Sequence, residues 1–206
     1  MLILGLTGSI AMGKSAAARI LKRRRIPVHD ADAAVHAALS PGGAAVVAVA
    51  AAFPGSRRGD GIDRQVLGRM VFGDTPALRR LEAILHPLAR RATVRFLSAA
   101  ARRRCRIVVL DIPLLFEIGA DRQVDAVLVL TAPAWLQRSR ALRRPGMTPE
   151  KFDAILGRQV PDRIKRYRAD HVVTSAQGLA PTARGLSAAL RSLATRRPRC
   201  WKPGWR

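Results

Sequence analysis

The chain has 206 residues, enough for one domain with its own core, and its 49% apolar and 25% charged residues exclude a disordered or fibrous protein. Lys and Arg number 37 against 14 acidic residues, a net charge of +23 that attracts polyanions such as nucleotides or nucleic acids. Because the basic residues are spread along the whole chain, a compositional bias toward alanine and arginine explains the excess better than a dedicated binding surface.

No segment predicts insertion into a membrane or secretion. The longest apolar run, Ala44–Phe53, has ten residues, fewer than the roughly 18 to 20 that span a bilayer. The first residues, Met1–Leu4, lack the basic region of a signal peptide. The only two cysteines, Cys105 and Cys200, provide no disulfide framework and no cysteine-rich zinc module. We therefore expect a cytoplasmic protein without membrane contact.

Strands and helices alternate along the chain, which predicts an α/β fold with a parallel sheet flanked by helices. The first half predicts a strand over Leu2–Leu6, a helix over Ser15–Arg25, a strand over Pro27–His29, a helix over Asp30–Leu39, a loop over 54–63, and helices over Arg64–Phe72, Pro76–Leu85 and Pro87 to about Arg103. The second half predicts strands over Ile107–Leu110, Val124–Leu130 and His171–Thr174, helices that begin after Pro133 and at Thr148, and a last helix over Leu179–Leu193.

The strongest motif lies between the first strand and the first helix. Residues Gly8–Ser15 match G-x-x-x-x-G-K-S/T, a loop whose glycines let successive N–H groups point at a phosphate. Lys14 would reach the β- and γ-phosphates of a nucleotide such as ATP, and the Ser15 hydroxyl would bind Mg²⁺. Ala11 stands where such loops often carry a glycine, so a positive φ at this position would be strained. No guanine-reading Asn/Thr-Lys-x-Asp motif is present, and a short chain with this loop suggests a small-molecule kinase.

Three aspartates follow predicted strands, at the edge of a doubly wound sheet where ligands bind. Asp32 is our candidate for the base that accepts a hydroxyl proton, and it could also bind Mg²⁺. Asp30 and Asp32 could instead cap a helix N-terminus. Asp111 ends a hydrophobic strand, where an acid oriented on Mg²⁺ is expected, although a strand-end turn would also explain it.

Taken together, the motifs resemble the dephospho-CoA kinase family over about residues 1–194. The matching motifs, in order, are Gly5–Ser15, Asp30-Ala31-Asp32, His86-Pro87, Pro113-Leu114-Leu115-Phe116-Glu117, Arg144–Thr148, Arg158-Gln159, Lys165-Arg166 and Ala169-Asp170. Ala11, Ala16, Arg163 and Ile164 depart from the pattern of the family. The phosphate loop is shared with many proteins, whereas the combination of the other motifs is far more specific.

The resemblance implies ATP-dependent phosphorylation of the ribose 3′-hydroxyl of dephospho-CoA, the last step of coenzyme A synthesis. It also implies a P-loop kinase fold: one domain over 1–195, with acceptor-binding helices inserted at about 60–100, a lid at about 138–168, and a basic mobile tail over 196–206. Carried over by position, the residues that would hold ATP are Gly8, Ala11, Met12, Gly13, Lys14, Ser15, Ala16 and Arg144. Asp32, Lys14 and Arg140 would be catalytic, and Asp32, Arg64 and His86 would contact the acceptor.

Several alternatives stay open from the sequence alone. Arg64, Arg140 and Arg144 could lie on solvated surfaces of an arginine-rich chain, and His86 could cap a helix that starts at Pro87. A related kinase acting on another small alcohol would carry the same loop. A nucleic-acid-binding protein that keeps a nucleotide loop would use the net charge and the Trp201 and Trp205 rings of the tail, although no nucleic-acid module is recognisable. The sequence predicts no oligomeric state.

Overall fold

The structure is a computed structural model that describes residues 1–201. Its secondary structure, in chain order, is β1 (Leu2–Thr7), α1 (Lys14–Arg23), β2 (Val28–Asp30), α2 (Ala31–Leu39), α3 (Val46–Ala52), β3 (Arg57–Arg58), β4 (Gly61–Ile62), α4 (Arg64–Val71), α5 (Thr75–Arg102), β5 (Ile107–Asp111), β6 (Ala126–Thr131), α6 (Ala134–Leu142), α7 (Pro149–Gly157), α8 (Asp162–Arg168), β7 (His171–Thr174) and α9 (Leu179–Leu193). Short 3₁₀ turns occur at Pro54–Ser56 and Ala120–Gln123.

The chain divides into two compact units. The first unit comprises Met1–His29 and the chain from Ala100 onward, and the second unit is Asp30–Ala99. The sequence predicts an acceptor-binding insertion over about 60–100 only, so the second unit contains that insertion together with α2 and α3. The further division into a core, a lid and an acceptor-binding part stays a prediction.

The first unit is built on a five-stranded sheet in the order β2-β5-β1-β6-β7. β1 lies at its centre and pairs in parallel with both neighbours, so that Leu4 is opposite Val109 on one side and Ala126 on the other. Every residue of β1 is buried, which explains why this strand reads as a continuous apolar run instead of an alternating one. The parallel α/β architecture predicted from the sequence is confirmed.

Helices α1 and α9 cover one face of this sheet. Ala17 and Leu21 of α1 and Leu186 and Ala189 of α9 are buried in a single core cluster with Leu4 and other strand residues. The small alanines let the helices approach closely, while the leucines supply most of the apolar area removed from water. This packing fixes the start of α1, and with it the loop that precedes α1.

The second unit has a separate core. Its buried side chains include Leu39, Val49, Phe53, Leu67 and Leu81, which come from α2 to α5 and the segment that follows α3. Asp63 caps the N-terminus of α4, and its carboxylate accepts hydrogen bonds from the amides of Gln65 and Val66. The bond from Val66 contributes most to lowering the pKa of Asp63, and the bond from Gln65 adds to it, because both favour the charged carboxylate.

Two predictions of secondary structure are wrong, and two helices were not predicted. α5 runs without interruption from Thr75 to Arg102 with Pro87 inside it, although the sequence predicts two helices separated at that proline. Proline removes one helical hydrogen bond, but Leu81 before it and Leu97 after it are both buried, and this packing holds the helix together. The predicted loop over 54–63 contains the β3–β4 hairpin, and the alanine-rich α3 and the basic α8 were not predicted as helices.

The segment after α9 is hydrogen-bonded to the rest of the first unit at least as far as Cys200. The Asp125 carboxylate accepts hydrogen bonds from the amide of Ile3 (2.7 Å) and from the amides of Arg199 (2.5 Å) and Cys200 (2.8 Å). These contacts fall within the segment 196–206 that the sequence predicts to be a mobile tail. Residues 202–206, Trp205 among them, lie outside the described residues.

Over residues 1–201, none of the helices combines the length and the apolar character needed to cross a bilayer.

Candidate active site

The phosphate-loop motif connects β1 to α1 in the first unit. Gly8 is required because a Cβ atom at this position would lie 2.6 Å from the carbonyl oxygen of Leu130. Gly13, the residue before α1, has a φ of 91°, which glycine adopts without strain. The loop therefore ends at a helix N-terminus, where the backbone N–H groups and the helix dipole favour a bound anion.

Ala11 adopts the strained conformation that its position in the motif suggested. Its φ is 61°, in the left-handed region that costs an alanine roughly 1–2 kcal/mol. The side chain is buried and packs in a small apolar cluster with Ala141 and Phe152. A glycine would avoid the strain but would lose this packing. The packing of the Ala11 methyl group therefore offsets part of the free energy that the positive φ costs.

Lys14 and Asp111 form an ion pair beside the loop. The Nζ atom of Lys14 lies 2.5 Å from Oδ1 of Asp111, and the Asp111 side chain is only 4% exposed. Asp111 is the last residue of β5, and β5 pairs with β1 in parallel, so the carboxyl ends of both strands meet at the edge of the sheet that carries the loop. The motif lysine and the strand-end aspartate, predicted separately, thus occupy one site.

Arg140 lies at the same end of the sheet and is held by Ser175. Its two terminal nitrogens donate to the hydroxyl oxygen (2.7 Å) and to the carbonyl oxygen (2.9 Å) of Ser175. The Ser175 hydroxyl in turn donates to the carbonyl oxygen of Met12 at 3.0 Å. Arg140 is therefore connected to the phosphate loop through one buried serine, a residue that the sequence analysis did not identify.

Two glutamines contact the loop at a single residue. The side-chain amide of Gln137 donates to the carbonyl oxygen of Ile10 at 2.9 Å, and the side-chain oxygen of Gln159 accepts from the Ile10 amide at 3.0 Å. Gln159 belongs to the Arg158-Gln159 motif, whose role the sequence does not indicate, whereas Gln137 belongs to no recognisable motif. Both bonds connect residues more than a hundred positions apart, so no local pattern could reveal them.

A cavity of about 430 Å³ opens next to Met12. It is lined by the end of β6, the start of α6 and part of α8, among them Thr131, Pro133, Gln137 and Asp162. Its volume lies within the range of small-molecule sites in proteins, so there is room for a ligand group beside the loop.

Comparison with known proteins gives the family. A profile of the family described as dephospho-CoA kinase matches residues 2–180 of this chain. The chain belongs to the dephospho-CoA kinase family. The resemblance predicted from the sequence motifs is thereby confirmed.

Relatives match over nearly the full length of the chain. A dephospho-CoA kinase of Rhodospirillum rubrum is 52% identical over 206 residues, which are 100% of this chain and 97% of the relative. One of Novosphingobium aromaticivorans is 50% identical over 197 residues, which are 96% of this chain and 97% of the relative. The crystal structure of TT1252 from Thermus thermophilus superposes with a TM-score of 0.81 at 35% identity, over 93% of this chain and 97% of that one. A dephospho-CoA kinase from Campylobacter jejuni, 22% identical and with a TM-score of 0.64, shares the fold over 93% of this chain and 96% of its own.

A dephospho-CoA kinase family motif also explains a buried lysine. Lys165 is fully buried, and its Nζ atom lies 2.8 Å from Oε1 of Glu117, the last residue of the Pro-Leu-Leu-Phe-Glu motif. The same Glu117 oxygen accepts the amide of Val160 at 2.9 Å. Because an unpaired buried charge is strongly destabilising, the two motif residues depend on each other. Their role in the first unit is to join α8 to the segment that follows β5.

The remaining candidate residues are placed as follows. Ser15 and Ala16 lie in the first turn of α1, and Arg144 is exposed in the turn after α6. The first unit thus brings together the loop, Lys14, Asp111 and Arg140.

The other candidates lie in the second unit. The Asp30 side chain accepts from the Ala33 amide, so Asp30 is the cap of α2, and Asp32 is exposed in the first turn of that helix. Arg64 is the exposed first residue of α4. His86 is exposed inside α5, so the alternative in which it caps a helix starting at Pro87 is wrong. The roles of Asp32, Arg64 and His86 toward the acceptor stay predictions.

Proposed function

We propose that this protein transfers the γ-phosphoryl group of ATP to the ribose 3′-hydroxyl of dephospho-CoA, giving coenzyme A and ADP. The observation that carries the proposal is membership of the dephospho-CoA kinase family over nearly the whole chain, together with a phosphate loop that has Lys14, Asp111 and Arg140 at one edge of the sheet. The same geometry would also serve transfer to another small alcohol, so the choice of acceptor depends on the family.

In the proposed reaction, the loop and the start of α1 hold the phosphates of ATP. The amides around Ala11 and Gly13 donate to phosphate oxygens, and Lys14 places a positive charge beside the transferred group. Arg140 adds a planar guanidinium that can contact two oxygens at once, and Arg144 does the same from the turn after α6. Since phosphoryl transfer needs positioning and charge neutralisation more than covalent chemistry, these groups supply most of what the donor side requires.

On the acceptor side, Asp32 takes the proton of the 3′-hydroxyl as its oxygen attacks phosphorus. Its exposed position in the first turn of α2 leaves the carboxylate accessible to a substrate hydroxyl. Arg64 suits the phosphates of dephospho-CoA because guanidinium groups bind phosphate in two places, and His86 offers a ring nitrogen for a hydrogen bond.

Kinases of this kind use Mg²⁺, and the residues present fit that ion. Among residues 1–201, no group of three or more His, Cys, Asp or Glu side chains is arranged to hold a metal. Mg²⁺ needs no such group, because it is commonly bound by one or two protein oxygens together with substrate phosphates. The exposed Ser15 hydroxyl and the carboxylate of Asp111 or Asp32 are the oxygens that would hold it. When bound, the ion would neutralise phosphate charge during transfer.

The proposal places the reaction in the cytoplasm, which fits two cysteines that form no disulfide. It involves dephospho-CoA as a small-molecule partner and requires neither a membrane nor a nucleic acid.

The test is a steady-state assay with Mg²⁺, ATP and dephospho-CoA in which ADP and CoA are measured together. We expect equal amounts of both products from the wild type and a loss of at least a hundredfold in kcat for Lys14→Ala and Asp32→Asn. Lys22→Ala and Asp60→Asn are matched controls, because both residues are exposed and lie outside the proposed site. If ATP binds but no CoA forms, dephospho-CoA is not the acceptor and the proposal is wrong.

A further inference from the structure

Two side chains from outside the phosphate loop donate hydrogen bonds to carbonyl groups of the loop. The Ile10 carbonyl accepts the side-chain amide of Gln137 at 2.9 Å, and the Met12 carbonyl accepts the Ser175 hydroxyl at 3.0 Å. Gln137 is 4% exposed and Ser175 is 6% exposed, so neither side chain can exchange these bonds freely for water.

The two bonds fix the direction of the N–H groups that follow. In a planar trans peptide, the carbonyl oxygen and the N–H of the next residue point in opposite directions. Holding the Ile10 oxygen on Gln137 therefore points the Ala11 N–H away from Gln137, and holding the Met12 oxygen on Ser175 points the Gly13 N–H away from Ser175. Both N–H groups belong to the motif that binds phosphate, where such groups must converge on the anion.

The conformations of these residues show why the loop needs such support. Ala11 has a φ of 61°, in a region that alanine leaves readily when nothing holds it there. Gly13 has a φ of 91°, and glycine has the widest choice of alternatives of any residue. Ser175 also packs directly on Gly13, since a Cβ atom on that glycine would lie 2.8 Å from both Cβ and Oγ of Ser175.

We propose that Gln137 and Ser175 are positioning residues of the phosphate loop: they orient the Ala11 and Gly13 amides toward phosphate through their hydrogen bonds to the loop carbonyls. Ser175 also positions Arg140 relative to the loop, because its hydroxyl and carbonyl oxygens accept hydrogen bonds from the two terminal nitrogens of Arg140. The inference rests on the proposed ATP-binding function of the loop.

The test measures binding of ADP and of adenosine, by calorimetry and without any acceptor, to Gln137→Ala and Ser175→Ala. A lost hydrogen bond is expected to weaken ADP binding roughly three- to tenfold in each variant. Binding of adenosine, which has no phosphate, should stay within about twofold of the wild type. In the assay, KM for ATP should rise by a similar factor while KM for dephospho-CoA does not change.

A third variant separates the donated bond from packing. Gln137→Glu keeps the shape of the side chain but removes the N–H donor, so it should weaken ADP binding at least as much as Gln137→Ala. Ser187→Ala and Gln123→Ala are controls: the Ser187 hydroxyl donates to the Ala183 carbonyl within α9, and Gln123 is exposed.

The wild type gives an independent readout. With ¹⁵N-labelled protein, the Ala11 and Gly13 amide resonances should both shift downfield on addition of ADP, as expected for N–H groups that donate to phosphate. The proposal is overturned if either alanine variant binds ADP as the wild type does, if adenosine affinity falls in parallel, or if the two resonances do not move. A wild type that binds ADP yet makes no CoA would instead count against the proposed function alone.

Discussion

The Nζ atom of Lys14 lies 2.5 Å from Oδ1 of Asp111, and this ion pair joins the end of the phosphate loop to the end of the neighbouring strand. The Asp111 side chain is 4% exposed and that of Lys14 is 17% exposed, so water screens the pair only weakly. Replacing Asp111 by alanine would leave the lysine charge without this partner in a largely buried position.

We therefore expect Asp111→Ala to lower the free energy of unfolding by about 3 kcal/mol, as measured by urea denaturation. Arg138 and Asp153 form a comparison pair whose side chains are 45% and 59% exposed. Asp153→Ala should cost less than about 1 kcal/mol, because exposed ion pairs contribute little. Equal losses in the two variants would show that burial does not govern the Lys14–Asp111 pair.

The strained Ala11 gives a prediction about backbone conformation. Ala11→Gly relieves the positive φ but loses a buried methyl group and adds chain entropy, so its unfolding free energy should stay within about 1 kcal/mol of the wild type. Ala11→Val should lower it by more than about 2 kcal/mol, because a β-branched residue tolerates this φ poorly and would crowd Ala141 and Phe152. Thermal and urea unfolding of both variants provide the measurement, and a valine variant as stable as the glycine variant would contradict the account.

The buried pair of Lys165 and Glu117 should behave as a unit. Lys165→Ala leaves the Glu117 carboxylate largely buried without its cation, and we expect a loss of about 3 kcal/mol or more in unfolding free energy. The double variant Lys165→Met, Glu117→Gln removes both charges while its glutamine oxygen still accepts the Val160 amide, so it should recover most of that loss. Denaturation of Lys165→Met, Glu117→Gln and the double variant measures the coupling, which is absent if the losses of the two single variants add up to that of the double variant.

The thiol of Cys200 makes the free energy of unfolding depend on pH in the alkaline range. Burial, and secondly the nearby Asp125 carboxylate, raise the pKa of this thiol from 9.0 to about 11. The folded protein thus keeps a proton that the unfolded chain releases first, so the associated stabilisation is complete below pH 9.0 and is lost as the pH rises to about 11. Comparing Cys200→Ser with the wild type by urea denaturation between pH 8 and pH 11 should isolate this effect, since every other titrating group is shared. Parallel curves for the two proteins would contradict it.

The sequence predicts the sheet, the phosphate loop and the polar residues at strand ends because these follow local rules. β1 and β5 are apolar runs closed by polar residues, and the parallel order of the strands then brings Lys14 close to Asp111. The motif even indicated one strained position, Ala11, since a loop that needs a left-handed residue there restricts what can occupy it, whereas no motif pointed to the positive φ of Arg25 or Arg104.

What the sequence did not reveal depends on contacts between distant parts of the chain. Ser175 lies 163 residues from Met12, and a serine after a strand has no distinctive pattern of its own. Gln137 is an ordinary helical residue until the fold places it against Ile10. Pro87 was read as a helix boundary by a local rule that the packing of α5 overrides.

Because the Asp125 carboxylate accepts hydrogen bonds from the amides of Ile3, Arg199 and Cys200, the segment from Thr195 to Cys200 is not a separable appendage. A truncation after Ala194, made to ask whether the arginines there bind a polyanion, would also take two donors from an aspartate that anchors the strand leading into the phosphate loop. Reversing a single charge, for example with Arg197→Glu, would also test polyanion binding, and it would keep the Arg199 and Cys200 amides that donate to Asp125.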